Sequence, residues 1–126
     1  MKQSFSISES EWQVLSCLWK KSPMEIKDIV TALHAKTGWN ANMVRTLVVR
    51  LQEKGAVGAE KGSRCYRYYP IADQKSCTLE ETESFLDRVF DGSPAKMIAA
   101  LTGSGKLSRK DCDEIQQMLN HLKEEN

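Results

Sequence analysis

The segment from Trp39 to Gly55, WNANMVRTLVVRLQEKG, constrains the fold most strongly because it combines an aliphatic stripe with two arginines. Its aliphatic residues follow the i, i+3, i+4, i+7 spacing of one buried helix face: Val44, Leu47, Val48 and Leu51. Asn40 is the expected N-cap, and Lys54-Gly55 forms a basic last turn followed by a stop. The pattern predicts a helix over residues 41–54 with its aliphatic face inward and its polar faces outward.

Two further helices are predicted before this one. Ser8 and Glu11 have capping-box spacing, so the first helix is expected over residues 9–20. Ser22-Pro23-Met24-Glu25 has the pattern of a second helix start, with an N-cap Ser, Pro at N1 and Glu at N3. This places the second helix over residues 23–36, followed by a turn at 37–39. Two helices joined by a short Gly-containing turn form the helix-turn-helix pattern.

The hydrophobic period changes from 3.6 to 2 after Gly55. Residues 56–60 and 64–69 are predicted as two strands joined by Lys61-Gly62-Ser63, and Pro70 ends the second strand. Three helices followed by a basic β-hairpin predict a winged helix, a mainly α fold with a small β-hairpin. The hairpin is its wing.

A helix that carries Arg, Asn and Thr on its free side suits the major groove of DNA, and a basic wing suits a flanking phosphate or the minor groove. Double-stranded DNA is therefore the expected partner. The predicted DNA-contacting residues are Asn42, Met43, Arg45, Thr46, Val49, Arg50, Lys54, Lys61, Arg64, Tyr66 and Arg67.

Residues beyond Asp73 are predicted to form a helical dimerisation segment, which divides the chain into domains 1–73 and 74–126. One helix is ended by Asp91-Gly92, a second starts at Ser93-Pro94, residues 102–105 form a flexible joint, and Ser108 caps a last helix. Three short helices cannot bury three apolar stripes alone, so a second copy of the segment is the expected partner. The predicted dimer residues are Phe85, Leu86, Val89, Phe90, Met97, Ile98, Leu101, Ile115, Met118, Leu119 and Leu122.

Charge and composition narrow the function further. Residues 1–77 carry 12 Lys and Arg against 7 Asp and Glu, whereas residues 78–126 carry 6 against 10. A basic N-terminal part and an acidic C-terminal part are typical of a module that contacts phosphates joined to a module that contacts a protein partner. No nucleophile, metalloprotease or phosphate-loop motif is present, and the four cysteines lack zinc-ligand spacing, so neither an enzyme nor a metal or other cofactor is expected. The start, MKQSFSISESEW, lacks an apolar core for export and no long apolar run follows, which favours a cytoplasmic protein without membrane contact.

Four segments resemble the penicillinase/methicillin-resistance repressor family (BlaI/MecI type): ISESEW, LWKK, WNANMVRTLVVRLQEKG and RCYRYYP. The similarity extends through FLDRVFDGS and LSRKDCDEIQQML, and the copper-responsive repressors of the CopY type share the fold. The resemblance implies a homodimeric repressor of inverted-repeat operators. It matches Arg45-Thr46 to the family's recognition helix, and Arg64 and Tyr66 to its wing. Asn42-Met43 stands where the family usually has Lys-Thr, which removes one expected phosphate contact.

The residues through which family members respond to an inducer differ further in this chain. The resemblance implies a sensor protease that cuts an Asn-Phe bond in β-lactam-responsive members, but the corresponding position lies at about Ala100-Leu101. It implies a C-terminal cysteine cluster in copper-responsive members, but only Cys112 lies in that region. Two other hypotheses are a redox- or metal-responsive regulator that uses Cys65, and a winged-helix protein-interaction module that does not bind DNA.

Overall fold

The computed structural model describes residues 5–125. Residues 1–4, which belong to the segment analysed for an export signal, and residue 126 lie outside the described residues. The described elements are α1 (Glu9–Lys20), α2 (Ile26–Thr37), α3 (Ala41–Glu53), β1 (Val57–Lys61), β2 (Tyr66–Pro70), α4 (Gln74–Phe90), α5 (Pro94–Ser104) and α6 (Arg109–Glu125). None of the described helices is both long and apolar enough to cross a membrane. The chain divides into two compact units between Glu80 and Glu81.

The first unit holds the buried core, in which α1, α2 and α3 pack against one another and the hairpin packs against α1 and α3. The fully or nearly fully buried side chains of this core include Val14, Leu15, Leu18, Ile29, Val44, Leu47, Val48 and Leu51. Removal of these aliphatic side chains from water is the main contribution to the stability of the fold. The expected winged-helix order of three helices and a two-stranded hairpin is confirmed.

The predicted bounds of helix α1, residues 9–20, are confirmed at both ends. Ser8 Oγ accepts a hydrogen bond from the Glu11 N–H at 3.2 Å, and Glu11 Oε1 accepts one from the Ser8 N–H at 2.8 Å. The capping box therefore satisfies two backbone donors that have no partner within the helix. At the far end, Trp19 Nε1 donates to the Ala72 carbonyl at 2.9 Å and ties α1 to the segment after the hairpin.

The predicted start of α2 is wrong. The helix begins at Ile26, with Glu25 as N-cap, rather than at Pro23. Met24 is extended because it forms a backbone bridge with Tyr68 of β2, with N–H···O distances of 3.0 Å and 2.8 Å. These two bonds to a distant strand need an extended backbone at Met24 and override the local Ser-Pro-x-Glu signal. Gly38 then ends α2 in the left-handed conformation, as a C-terminal glycine should.

The hairpin forms, but its strands are displaced from the predicted ones. β1 and β2 are antiparallel, and Lys61 pairs with Tyr66, so Lys61 lies in a strand rather than in the turn. Arg64 and Cys65 lie in the turn rather than in the second strand, and the Gly62 N–H donates to the Cys65 carbonyl at 3.0 Å. Closing the turn over four residues instead of three shifts both strands toward the C-terminus.

The second unit comprises the end of α4 together with α5 and α6, and none of its described residues, 81–125, is buried. Asp91 and Gly92 both adopt positive φ and end α4 as predicted. The expected flexible joint at 102–105 is wrong, because α5 continues to Ser104 and stops at the left-handed Gly105. The hydroxyl groups of Thr102 and Ser104 donate to carbonyls three residues back, so these polar residues are accommodated in the last turn of the helix.

Candidate nucleic-acid interface

Helix α3 presents its polar residues outward because its aliphatic stripe occupies the core. The stripe consists of Val44, Leu47, Val48 and Leu51, which are at most 1 % exposed. Asn40 confirms its predicted capping role, since its Oδ1 accepts a hydrogen bond from the Met43 N–H at 2.9 Å. The helix positions that do not enter the core are all exposed: Ala41, Asn42, Met43, Arg45, Thr46, Val49, Arg50, Gln52 and Glu53.

Six residues of α3 line one shallow, continuous surface, which we call the α3 surface: Asn42, Arg45, Thr46, Val49, Arg50 and Glu53. Five of them were selected from the sequence as DNA-contacting residues. Glu53 was missed, although it follows Val49 and Arg50 at i+4 and i+3 and so shares their face. Met43 is 36 % exposed but does not line this surface.

Two local hydrogen bonds organise the start of the α3 surface. Arg45 Nη1 donates to Asn42 Oδ1 at 3.2 Å, so the guanidinium is held beside the first turn of α3. Thr46 Oγ1 donates to the Asn42 carbonyl at 2.9 Å, which occupies its hydroxyl proton and leaves its oxygen lone pairs and methyl group for an external partner. A guanidinium has five N–H donors, so Arg45 retains donors for a base edge or a phosphate.

The wing places two of the three predicted basic residues, Lys61 and Arg64, at its tip. Lys61, Arg64 and Tyr66 line a depression of about 300 Å³ together with Gly62, Ser63 and Cys65. Within residues 5–125, Lys61 and Arg64 have no carboxylate partner. Arg67 does have one, because its Nη2 lies 3.7 Å from Glu60 Oε1 on the neighbouring strand. The free cations of the wing are therefore at its tip, whereas Arg67 is partly neutralised.

Lys54, which was also predicted to contact DNA, is the C-cap of α3, and its side chain binds a different partner. Its Nζ lies 2.5 Å from Glu11 Oε1 and also donates to the Ser6 carbonyl. Glu11 is 2 % exposed and is the one charged side chain buried among the described residues. Burial raises the pKa of Glu11, but the hydrogen bonds from Lys54 and Ser8 and the charge of Lys54 outweigh it and lower the pKa overall. Lys54 thereby compensates a buried carboxylate, a role that sequence reasoning missed because the partners are far apart in the chain.

The predicted dimer residues all lie in the second unit and retain solvent exposure. Phe85 and Phe90 make an edge-to-face contact, with ring centroids 5.8 Å apart. The half-buried members are Leu86, Phe90, Met97, Leu101 and Ile115. The exposed members are Phe85, Val89, Ile98, Met118, Leu119 and Leu122.

The histidines and cysteines are the remaining residues with reactive side chains. His34 and His121 are both exposed, and His121 Nε2 lies 3.2 Å from Glu125 Oε1. Cys17 and Cys77 are buried, and burial raises the pKa of both thiols. Cys65 and Cys112 are exposed. A sensing role for Cys65 stays a hypothesis.

Comparison with known proteins identifies relatives along almost the whole chain. The family model described as penicillinase repressor matches residues 7–121. The penicillinase repressor of Bacillus licheniformis is 28 % identical over 123 residues, which cover 98 % of this chain and 96 % of the relative. The methicillin resistance regulatory protein MecI of Mammaliicoccus sciuri is 23 % identical over 118 residues, covering 94 % and 96 %.

A solved structure resembles part of the chain. It is the solution structure of the monomeric form of Bacillus licheniformis BlaI in complex with the blaP half-operator. The match has a TM-score of 0.50 and 28 % sequence identity, and covers 59 % of this chain and 89 % of that one.

Proposed function

This chain belongs to the penicillinase repressor family, and on that premise we propose that it is a transcriptional repressor that binds double-stranded operator DNA. Membership of the family, whose model matches residues 7–121, and the likeness to the BlaI–half-operator complex over 59 % of the chain both support this function. The observation that carries it is the α3 surface, where a buried aliphatic stripe forces Arg45, Thr46 and Arg50 outward together.

In this proposal α3 enters the major groove. The groove admits an α-helix, and Arg, Asn and Thr side chains suit the donors and acceptors of base edges. Arg45 is the leading base contact because Asn42 orients it while leaving most of its donors free. Arg50 and Thr46 extend the contact along the helix. Glu53 at the far end of the α3 surface suits a cytosine amino group and disfavours a phosphate.

The wing supplies the second contact, to the phosphate backbone. Lys61 and Arg64 at the tip carry the unpaired positive charge that a phosphate requires. Phosphate contacts fix the position and orientation of a protein on DNA without reading its sequence. Lys54 is left out of the proposed surface because its ammonium group neutralises Glu11.

The second unit is proposed to form a homodimer, which would place two α3 helices on an inverted repeat. A segment with six exposed apolar side chains and no buried residue in 81–125 gains stability by covering those side chains with a second copy. Recognition helices related by a two-fold axis then contact half-sites about one DNA turn apart, roughly 34–36 Å.

Cleavage by a sensor protease is not included in the proposal. The aligned bond, Ala100-Leu101, lies within α5, whereas proteolytic nicking concentrates in exposed loops. This position also lacks the Asn-Phe pair that the family resemblance would require.

The test is a fluorescence-anisotropy titration of the full-length protein with DNA from its own promoter and with a scrambled duplex. Arg45→Ala should weaken promoter binding by about 5- to 150-fold, since a good base contact contributes about 1–3 kcal/mol. Binding to the scrambled duplex should change much less. Arg109→Ala is the matched control, because it removes an arginine of α6 that does not line the α3 surface. Equal promoter affinity in wild type and Arg45→Ala would remove Arg45 from the interface.

A further inference from the structure

A cleft of about 200 Å³ lies between α1 and α2, and none of its lining residues belongs to the α3 surface or the wing tip. Its apolar floor includes Cys17, Met24 and Leu33, which are largely buried. Cys17 Sγ lies 3.6 Å from Met24 Sδ, so two polarisable sulfur atoms are adjacent. Burial raises the pKa of the Cys17 thiol, and this effect outweighs the charge of Lys20, which lowers the pKa. The thiol is therefore neutral.

Three exposed lysines line the same cleft: Lys20, Lys21 and Lys36. In the described part of the chain, residues 5–125, none of the three forms an ion pair. The described residues that line the cleft include no aspartate or glutamate either. An apolar floor with a uniformly positive rim favours a ligand that has an apolar body and a negative group.

We propose that this cleft binds a small aromatic carboxylate, with its ring on the floor formed by Cys17 and Met24 and its carboxylate at the lysine rim. Sulfur atoms contact aromatic rings favourably, which selects an aromatic body over a purely aliphatic one. Pockets for drug-sized ligands measure about 300–1,000 Å³, so the smaller cleft limits the ligand to one ring and a short acid side chain.

One residue that lines the cleft, Met24, is hydrogen-bonded to β2 of the wing. Met24 is bonded through both its N–H and its carbonyl to Tyr68 of β2. A ligand on the floor would therefore contact the residue that anchors β2 to the segment between α1 and α2. Binding to the cleft does not depend on the proposed DNA contacts, and it is testable with the DNA-free protein.

The test is a titration of the full-length protein with phenylacetate, followed by NMR of the methionine methyl groups. The Met24 methyl signal should shift saturably with a millimolar dissociation constant, whereas the Met43 methyl on α3 should not move, because Met43 does not line the cleft. Phenylacetamide, the uncharged analogue of the same shape, should bind about fivefold more weakly, as expected for loss of exposed charge pairs.

Two variants locate the site. Ala32→Leu places a larger side chain in the cleft lining and should abolish the Met24 shift, whereas Ala35→Leu, an exposed position of the same helix that does not line the cleft, should leave it unchanged. Lys36→Gln should weaken phenylacetate binding about twofold without affecting phenylacetamide. The proposal is overturned by a stationary Met24 signal, by equal shifts of Met24 and Met43, by equal binding of the two compounds, or by full binding to Ala32→Leu.

Discussion

The ion pair between Lys54 and Glu11 gives the sharpest stability prediction, for the variant Lys54→Met. It connects the C-cap of α3 to the first turn of α1, with Nζ 2.5 Å from Oε1. Methionine retains much of the apolar stem of lysine but removes the charge. The variant therefore leaves the Glu11 carboxylate buried without its cation.

Removing one partner of a buried ion pair typically costs about 3–5 kcal/mol, because the remaining charge stays away from water. Two features of this pair reduce the cost. The Lys54 side chain is 34 % exposed, so water has access to the site, and the Ser8 N–H still donates to Glu11 at 2.8 Å. We therefore expect Lys54→Met to lower the free energy of unfolding by about 2 kcal/mol at neutral pH.

The loss of unfolding free energy in Lys54→Met should become smaller as the pH falls. Because the folded-state pKa of Glu11 is lowered, the pair stabilises the fold fully above the ordinary value of 4.5 and loses its effect as pH falls through the folded-state pKa. In Lys54→Met the burial of Glu11 is no longer outweighed by the lysine, so its carboxyl group takes up a proton at higher pH. The stability difference between wild type and variant should therefore narrow as the solution is acidified.

Urea denaturation at a fixed protein concentration measures these differences, since assembly of the chain would make its stability concentration-dependent. Lys27→Met is the matched control, because Lys27 forms an exposed ion pair with Glu25 at 3.5 Å and should cost no more than about 0.5 kcal/mol. A double-mutant cycle with Glu11→Gln should give a coupling of at least about 1 kcal/mol. A coupling near zero, or a difference that widens at acid pH, would refute the reasoning.

The remaining predictions concern the wing, the core and the second unit. Arg64→Ala should weaken binding to all DNA sequences similarly. It should also reduce the slope of log binding constant against log salt concentration by about one unit, as measured by anisotropy at several salt concentrations. A loss of affinity confined to promoter DNA would contradict a phosphate contact. Leu47→Ala should lower the free energy of unfolding by about 3 kcal/mol in urea denaturation because Leu47 is fully buried, and a loss below about 1 kcal/mol would contradict its central place in the core. Leu119→Glu should weaken self-association at least about tenfold in sedimentation experiments, because it places a charge on the proposed apolar interface; unchanged association would exclude that face.

Local signals predicted the parts of the fold that depend on neighbouring residues. The capping box of Ser8 and Glu11 and the aliphatic stripe of α3 are complete within a few turns of chain, so both elements were predicted correctly. The prediction that α2 starts at Pro23 was wrong because Met24 pairs with Tyr68. This backbone contact with a distant strand is not encoded by any local pattern.

The same distinction applies to the candidate interface. The outward residues of α3 were predictable because helical periodicity separates them from the buried stripe, and Glu53 could have been found by extending that period by one turn. The partner of Lys54 could not be found in this way, since Glu11 lies on another helix and is buried only by tertiary packing. The ion pair of Arg67 likewise depends on the register that brings Glu60 opposite it.

Hydroxyl-radical footprinting of the protein on its own promoter tests the central claim most directly. Two α3 helices acting as a symmetric pair should protect two half-sites of an inverted repeat, with centres about one helical turn apart, and inserting about half a turn of DNA between them should remove one protected region. A single protected half-site at saturating protein, or no protection of the promoter, would contradict the account.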